Sequence, residues 1–288
     1  MENTKTKKLR SKKGAERTAN TVIYIVLIVI SVIWLLPFFI LIIQSLRGEA
    51  GMSTSYFFPK TWTFDNYVRL FTETQFLTWY GNTLLVSVVV TIVQTIIVLM
   101  TSYALSRLRF KMRKPLMNLM LILGMFPGFL SMTAIYFILK EMSLTQSLFG
   151  LMLVYTGSSA MGYYICKGFF DTIPKSLDEA ARIDGASRHT VFIKIILPLA
   201  KPIIIYTILT SFTAPWGEYM FSSFLMLGDP SKFTVAVGMK DWLSEENVNQ
   251  YFTVFCAAAV VVSIPITALF IWLQKYYVEG VTGGSVKG

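Results

Sequence analysis

The sequence predicts an all-α integral membrane protein: six transmembrane helices, both termini in the cytoplasm, and a helical segment folded on the cytoplasmic side. Three observations carry that prediction. Of the 288 residues 54% are hydrophobic and 15% charged, with a mean hydropathy of +0.58. A soluble globule has too little interior to hide so much apolar side chain. Charge is clustered, leaving long runs without any, as hydrocarbon demands when an ion there costs several kcal/mol. Lysine and arginine number 26 against 16 acidic residues, for a net charge of +10, and in a membrane chain their distribution reports orientation.

A helix rising ~1.5 Å per residue needs about 20 residues to cross ~30 Å of hydrocarbon. Uncharged runs of that length occupy residues 18–46, 74–106, 115–139, 142–166 and 247–274, and a sixth, 202–228, is interrupted by Glu218 alone. The first run follows a basic stretch, as a signal peptide does. Its apolar part is far longer than a cleaved signal and no small-residue cleavage site closes it, so it reads as a retained span.

Twenty of the 26 basic residues fall in segments 1–20, 107–114, 167–201 and 275–288, and the intervening loops hold only Arg47, Lys60, Arg69, Lys140, Lys232 and Lys240. Basic loops stay cytoplasmic. The chain therefore divides into a basic cytoplasmic tail (1–20), a six-helix transmembrane domain (21–274) with a long cytoplasmic loop at 167–201, and a cytoplasmic C-terminal tail (275–288). The basic tail facing anionic membrane lipid needs no nucleic-acid partner. With no internal repeat, this chain does not contain both halves of a two-fold transporter.

Residues for enzymatic chemistry are sparse. His189 is the sole histidine, Cys166 and Cys256 lie in apolar runs without metal-ligand spacing, and G-x-x-x-x-G-K-[ST], H-E-x-x-H and G-x-S-x-G are all absent. The chain has no phosphate loop with which to split ATP, and no cofactor or metal is expected in it. Glu218 is the one charged residue inside an apolar run, set among Pro215, Trp216, Gly217 and Tyr219. A helix breaker beside aromatic rings suits a kink lining a solute path, and an intramembrane carboxylate is a functional candidate by default. Trp216, Glu218 and Tyr219 are the pathway candidates; a structural carboxylate bonded to a neighbouring helix, with aromatic packing around it, is the alternative.

The loop at 167–201 is longer than two adjacent helices need, and it is built to fold. Ser176-Leu177-Asp178-Glu179 reads as a capping box, Ala180, Ala181 and Arg182 favour helix, and Gly185 supplies a left-handed stop. Ser187 caps a second helix through Ile196, which Pro198 prevents from continuing far. A helix of roughly two turns is marginal alone in water and must rest on something. Leu177, Ala180, Ala181 and Asp184 share one face, mostly of small side chains that let another protein's backbone approach closely. A loop packed only on its own bundle is the alternative.

Glu179-Ala180-Ala181, three residues, Gly185, nine residues, Ile195, one residue, and Leu197-Pro198 fit E-A-A-x(3)-G-x(9)-I-x-L-P over 20 positions. This resembles the signature of permease subunits of binding-protein-dependent ABC importers. From end to end the chain is similar to the smaller permease of maltose-type sugar importers: six spans, Asn66-Tyr67 in the first outside loop, Asn82 opening the second span, and a glycine-rich tail. The resemblance implies a second related permease that completes the pathway, two cytoplasmic ATPase subunits that use ATP and Mg, and an extracytoplasmic solute-binding protein, all at a bacterial cell membrane.

It further implies that the helix from Glu179 to Gly185 is a coupling helix seated in an ATPase cleft. Gly283, Gly284 and Lys287 of the tail reach toward the ATPase interface, with ordinary terminal disorder as the alternative. Loop 229–246, including Trp242, is the candidate contact for the solute-binding protein or else a solvated linker. Trp216 and Tyr219 are placed to stack on a pyranose or simply to pack. A stand-alone secondary transporter, a membrane scaffold and an importer of a non-sugar solute are the competing readings, although one intramembrane carboxylate is thin support for ion coupling.

Overall fold

The computed structural model describes residues 2–52, 56–226 and 228–285, nearly all helical and with no strand among them. Three helices are long and apolar enough to cross a membrane without a break: α1 (Glu2–Ser45), α3 (Phe76–Arg107) and α13 (Val248–Ser285). Between α1 and α3 lies a short α2 (Asp65–Thr72). Two bent pairs bring the number of spans to as many as five. These are α4 (Arg113–Met125) with α5 (Gly128–Glu141), bent by 104°, and α9 (Arg188–Leu199) with α10 (Lys201–Gly217), bent by 81°.

Three of the six apolar runs are thus interrupted. Run 115–139 breaks at Phe126, which is extended (φ −75°, ψ 132°) because the Pro127 ring disfavours helical backbone before it. Run 142–166 divides into α6 (Leu148–Gly157) and the start of α7 (Ala160–Thr172). There Ser158 bonds back to the Val154 carbonyl at 2.7 Å, a local contact that competes with the helical ladder. Run 202–228 breaks at Glu218 into α10 and α11 (Met220–Leu225). Pro215, expected to mark the kink, is buried inside α10 without ending it.

Helix α3 is the axis of the bundle. Its polar residues bond across to neighbouring helices, where water is unavailable: Gln94 donates to the Tyr155 carbonyl at 2.9 Å and Ser102 to the Tyr163 carbonyl at 3.0 Å. The inner cluster around Val98, Cys166, Phe170 and Ile196 lies toward the basic end of α3, and a middle cluster includes Val86, Leu151 and Leu225. An outer cluster gathers Leu70, Phe76, Trp79, Trp242 and Val254. Cys166 and Cys256 are buried and unbridged. Outside the bundle, residues 22–39 of α1 present an almost wholly apolar surface, Trp34 being 74% exposed. A patch of that extent is at home in hydrocarbon or against another membrane helix.

The loops at the N-terminal end of α3 are tied down by residues singled out in the sequence. Asn66 donates to the Ser45 and Arg47 carbonyls at 3.0 and 2.7 Å and accepts from Thr253 at 2.9 Å, joining α1, α2 and α13. Asn82 donates to the carbonyls of Ser231 and Phe233 at 2.9 and 3.0 Å, pinning loop 229–246 onto α3. That loop is no solvated linker: it contains α12 (Val235–Lys240). Trp242, expected as an outward contact, is 5% exposed and stacks on Tyr251 at 5.9 Å, because the outer cluster needs its ring to close. Gly238 is required by close approach, since a Cβ there would overlap the Trp79 ring.

Neither end departs from its helix where the tails were expected. Helix α1 begins at Glu2, within segment 1–20, and α13 runs on to Ser285, so Gly283 and Gly284 stand in helical backbone. Lys287 lies outside the described residues.

Candidate coupling helix and membrane carboxylate

Helix α8 (Lys175–Ile183) opens on Pro174 without any side-chain cap. The expected capping box is therefore absent. Pro174 holds Ile173 extended and has the fixed φ of a helix start, so the helix begins at Lys175 and Ser176 is already inside its first turn. The stop is as expected: Gly185 has φ +85°. The Ala186 amide reaches the Ala181 carbonyl at 2.9 Å and the Gly185 amide that of Arg182 at 3.1 Å, the paired bonds of a Schellman motif. Ser187 then caps α9 by accepting from the Thr190 amide at 3.1 Å.

In α9 a π turn spans Phe192–Ile196. Pro198 lacks the amide that would bond to the Lys194 carbonyl, and the wider turn shifts the ladder past that gap. Ile195 and Leu197 are half-buried and Ile196 wholly so, on the inner cluster. Ile196 and Leu197 belong to the cluster on which Ala181 of α8 also packs, while Pro198 is exposed.

Helix α8 touches its own bundle lightly. The Asp178 carboxylate lies 2.9 Å from Arg107 Nε, with side chains 15% and 4% exposed, and Ala181 packs against the inner cluster. Burial holds the Asp178 carboxyl above its ordinary range, while the Arg107 charge pulls it back. No residue of α8 is itself buried. Leu177, Glu179, Ala180, Arg182 and Asp184 are exposed, and Ile183 is 86% exposed. The predicted docking face is corrected in two places: Ala181 turns inward, and Ile183 turns outward. Ile183 was legible in the sequence at i+3 from Ala180 and i+6 from Leu177, outside the face of small side chains.

Glu218 stands at the break between α10 and α11 with extended backbone (φ −79°, ψ 111°). Its carboxylate accepts from the Phe221 amide at 2.7 Å, the Ser222 amide at 2.9 Å, the Ser222 hydroxyl at 2.8 Å and the Tyr155 hydroxyl at 2.5 Å. Two of these satisfy amides that the first turn of α11 leaves without helical partners, and the last binds α6. These bonds knot the helix break to α6, the arrangement that the alternative reading describes.

Trp216 and Tyr219 do come together. They line a cavity of about 410 Å³ walled otherwise by Lys240 and by apolar residues such as Met239, Phe255 and Val262, and Glu218 is not among its walls. Trp216 is 4% exposed, edge-on to Tyr80 at 5.3 Å, and its Nε1 has no hydrogen-bond partner among the described residues. No group of three or more His, Cys, Asp or Glu is arranged to hold a metal among the described residues.

The family described as "Binding-protein-dependent transport system inner membrane component" matches residues 97–283, a stretch that includes α8, α9 and the Glu218 knot. The chain belongs to this family. Its members are non-catalytic membrane permeases of ABC importers, in which partner ATPases hydrolyse ATP. This permease is 36% identical to the maltodextrin transport system permease protein MdxG of Bacillus subtilis over 92% of this chain and 95% of that one. It is 38% identical to the galactooligosaccharides transport system permease protein GanQ of the same organism, over 84% and 86% of the two chains. A crystal structure of a bacterial ABC transporter involved in the import of the acidic polysaccharide alginate shares the fold, with a TM-score of 0.76 at 24% identity over 91% of this chain and 98% of its own.

Proposed function

We propose that this permease carries oligosaccharide inward as one of a pair, with a second related permease completing the pathway, two cytoplasmic ATPases supplying energy through ATP and Mg, and an extracytoplasmic binding protein delivering solute. Relatives named for maltodextrin and galactooligosaccharide transport support the substrate class. Six crossings, with both termini in the cytoplasm, follow if α1, α3, the α4–α5 pair, the α6–α7 pair, α10 with α11, and α13 each cross once. The lopsided distribution of lysine and arginine supports that orientation. In this arrangement 1–20 and 275–288 are cytoplasmic, and Gly283, Gly284 and Lys287 lie on the ATPase side.

One observation carries the coupling role: α8 exposes Leu177, Ala180 and an almost bare Ile183 while being fastened from behind by Asp178. A nine-residue helix is not stable alone. An isoleucine so exposed on the cytoplasmic side calls for a protein partner, and the ATPase is the one that must be reached. ATP binding closes the ATPase pair, and its preference for one global state passes through α8 into the permeases as a coupling free energy. Ile195, Leu197 and Pro198 transmit the displacement by holding α9 against the inner cluster.

Glu218 is fully engaged in capping, which leaves the spans without a charged group for ion-driven transport and supports ATP as the energy source. Trp216 and Tyr219, with an unpaired indole N–H in a cavity of mostly apolar walls that Lys240 also lines, are the best placed side chains to meet a sugar ring. The test is reconstitution: vesicles holding both permeases, the ATPase and the binding protein should take up maltodextrin with ATP inside. Flux by the lone permease driven by a proton or sodium gradient would contradict the proposal.

A further inference from the structure

We infer that the cleft between the cytoplasmic end of α3 and α8 binds a phosphate ester of a polyol. The cleft encloses about 570 Å³ and is walled by Arg107, Arg109, Arg113, Lys175, Arg182 and Arg188. Against these six cations stand only Asp178 and Glu179, and Asp178 is already paired with Arg107 at 2.9 Å. Like charges around one concavity concentrate a positive potential within it, and an anion is what that field attracts.

Exposed arginines alone are usually just solvated; Arg107 is different. Its side chain is 4% exposed. Its Nη2 donates to the Ile173 carbonyl at 2.9 Å, while Nη1 has no acceptor among the described residues. Beside it Asp178 Oδ1 is buried with no donor. A buried donor and a buried acceptor left empty on the two members of one ion pair are costly unless something fills both. A phosphate oxygen answers the guanidinium, whose planar fork suits it, and a hydroxyl answers the carboxylate.

A phosphate ester of a polyol brings both groups. It has two sources, the headgroup of phosphatidylglycerol and a soluble polyol phosphate. Leu108 and Phe110 complete the wall and give the lipid form an apolar flank. The site does not depend on α8 being held by an ATPase, since every group that forms it belongs to this chain.

The test uses the full-length permease, purified alone. In one arm glycerol 3-phosphate is titrated by calorimetry; in the other, nanodiscs of phosphatidylglycerol or phosphatidylcholine are followed by native mass spectrometry for retained lipid. Binding of glycerol 3-phosphate in detergent identifies a soluble source; selective retention of phosphatidylglycerol identifies the lipid. Either supports the site if Arg107→Lys weakens the binding about tenfold, as loss of a charge-assisted bond predicts. Arg182 is exposed, so Arg182→Gln keeps the fold and should weaken binding roughly threefold. The inference is overturned if neither probe binds or if both variants bind as the parent does.

Discussion

Replacing Glu218 by alanine separates a structural knot from a path-lining carboxylate. The substitution removes the acceptor of four bonds, from the Tyr155 and Ser222 hydroxyls and the Phe221 and Ser222 amides, 2.5 to 2.9 Å from the carboxylate. The two hydroxyls, 2.7 Å apart, can still pair with each other, so the two amides are left without an acceptor. Each buried donor so orphaned costs about 1–3 kcal/mol. Some relaxation will recover part of that, so the expected destabilisation is about 2–4 kcal/mol. The assay is thermal unfolding of the purified permease in detergent, followed by the tryptophans near the break, with sugar uptake measured in vesicles in parallel. Glu218→Gln keeps one carbonyl oxygen and should recover roughly half the loss. A double-mutant cycle with Tyr155→Phe should give a coupling energy of about 1–2 kcal/mol. If Glu218→Ala unfolded with the parent yet abolished uptake, the carboxylate would be acting on solute and the capping argument would fail.

Ile183→Asp should leave stability within about 0.5 kcal/mol of the parent, since the side chain is 86% exposed, while abolishing co-purification of the ATPase; a retained complex would count against α8. Gly185→Pro should eliminate coupled uptake, because proline locks φ near −65° where the chain needs +85°, and normal ATPase stimulation in that variant would refute the requirement. Gly238→Ala should destabilise the outer cluster by about 1–3 kcal/mol through its overlap with Trp79, visible as a lowered melting temperature and altered tryptophan emission. Asn66→Ala strips two carbonyls and Thr253 of their partner, and a loss of about 2 kcal/mol in detergent stability is expected.

The parts of the fold legible in the sequence are those governed by local chemistry. Long uncharged runs located the apolar helices, the glycine at 185 stopped α8, and Ser187 capped α9, because each depends on residues only a few positions apart. The break at Phe126 was written in the following proline, but a search for charge alone passes over it. The start of α8 went astray because Ser176 satisfied a capping pattern while Pro174 had already begun the helix. What escaped altogether depends on distant partners. Trp242 reads as an exposed loop aromatic until Trp79 and Tyr251 are seen beside it. Arg107 reads as one more cytoplasmic cation, though it lies buried against Asp178. Glu218 stands out in the sequence as unusual, but the approach of Tyr155 from α6, which favours its structural role, is not visible there.

Site-directed crosslinking of α8 reaches the coupling claim most directly. Cys166 and Cys256 are buried, so single cysteines at Ala180, Ala181 and Ile183 report on their own positions. With both permeases and the ATPase assembled, cysteines at Ala180 and Ile183 should trap an ATPase subunit in a nucleotide-dependent manner, while one at the inward-turned Ala181 should not. Failure of every outward position to trap an ATPase, in vesicles that still import sugar, would contradict the account.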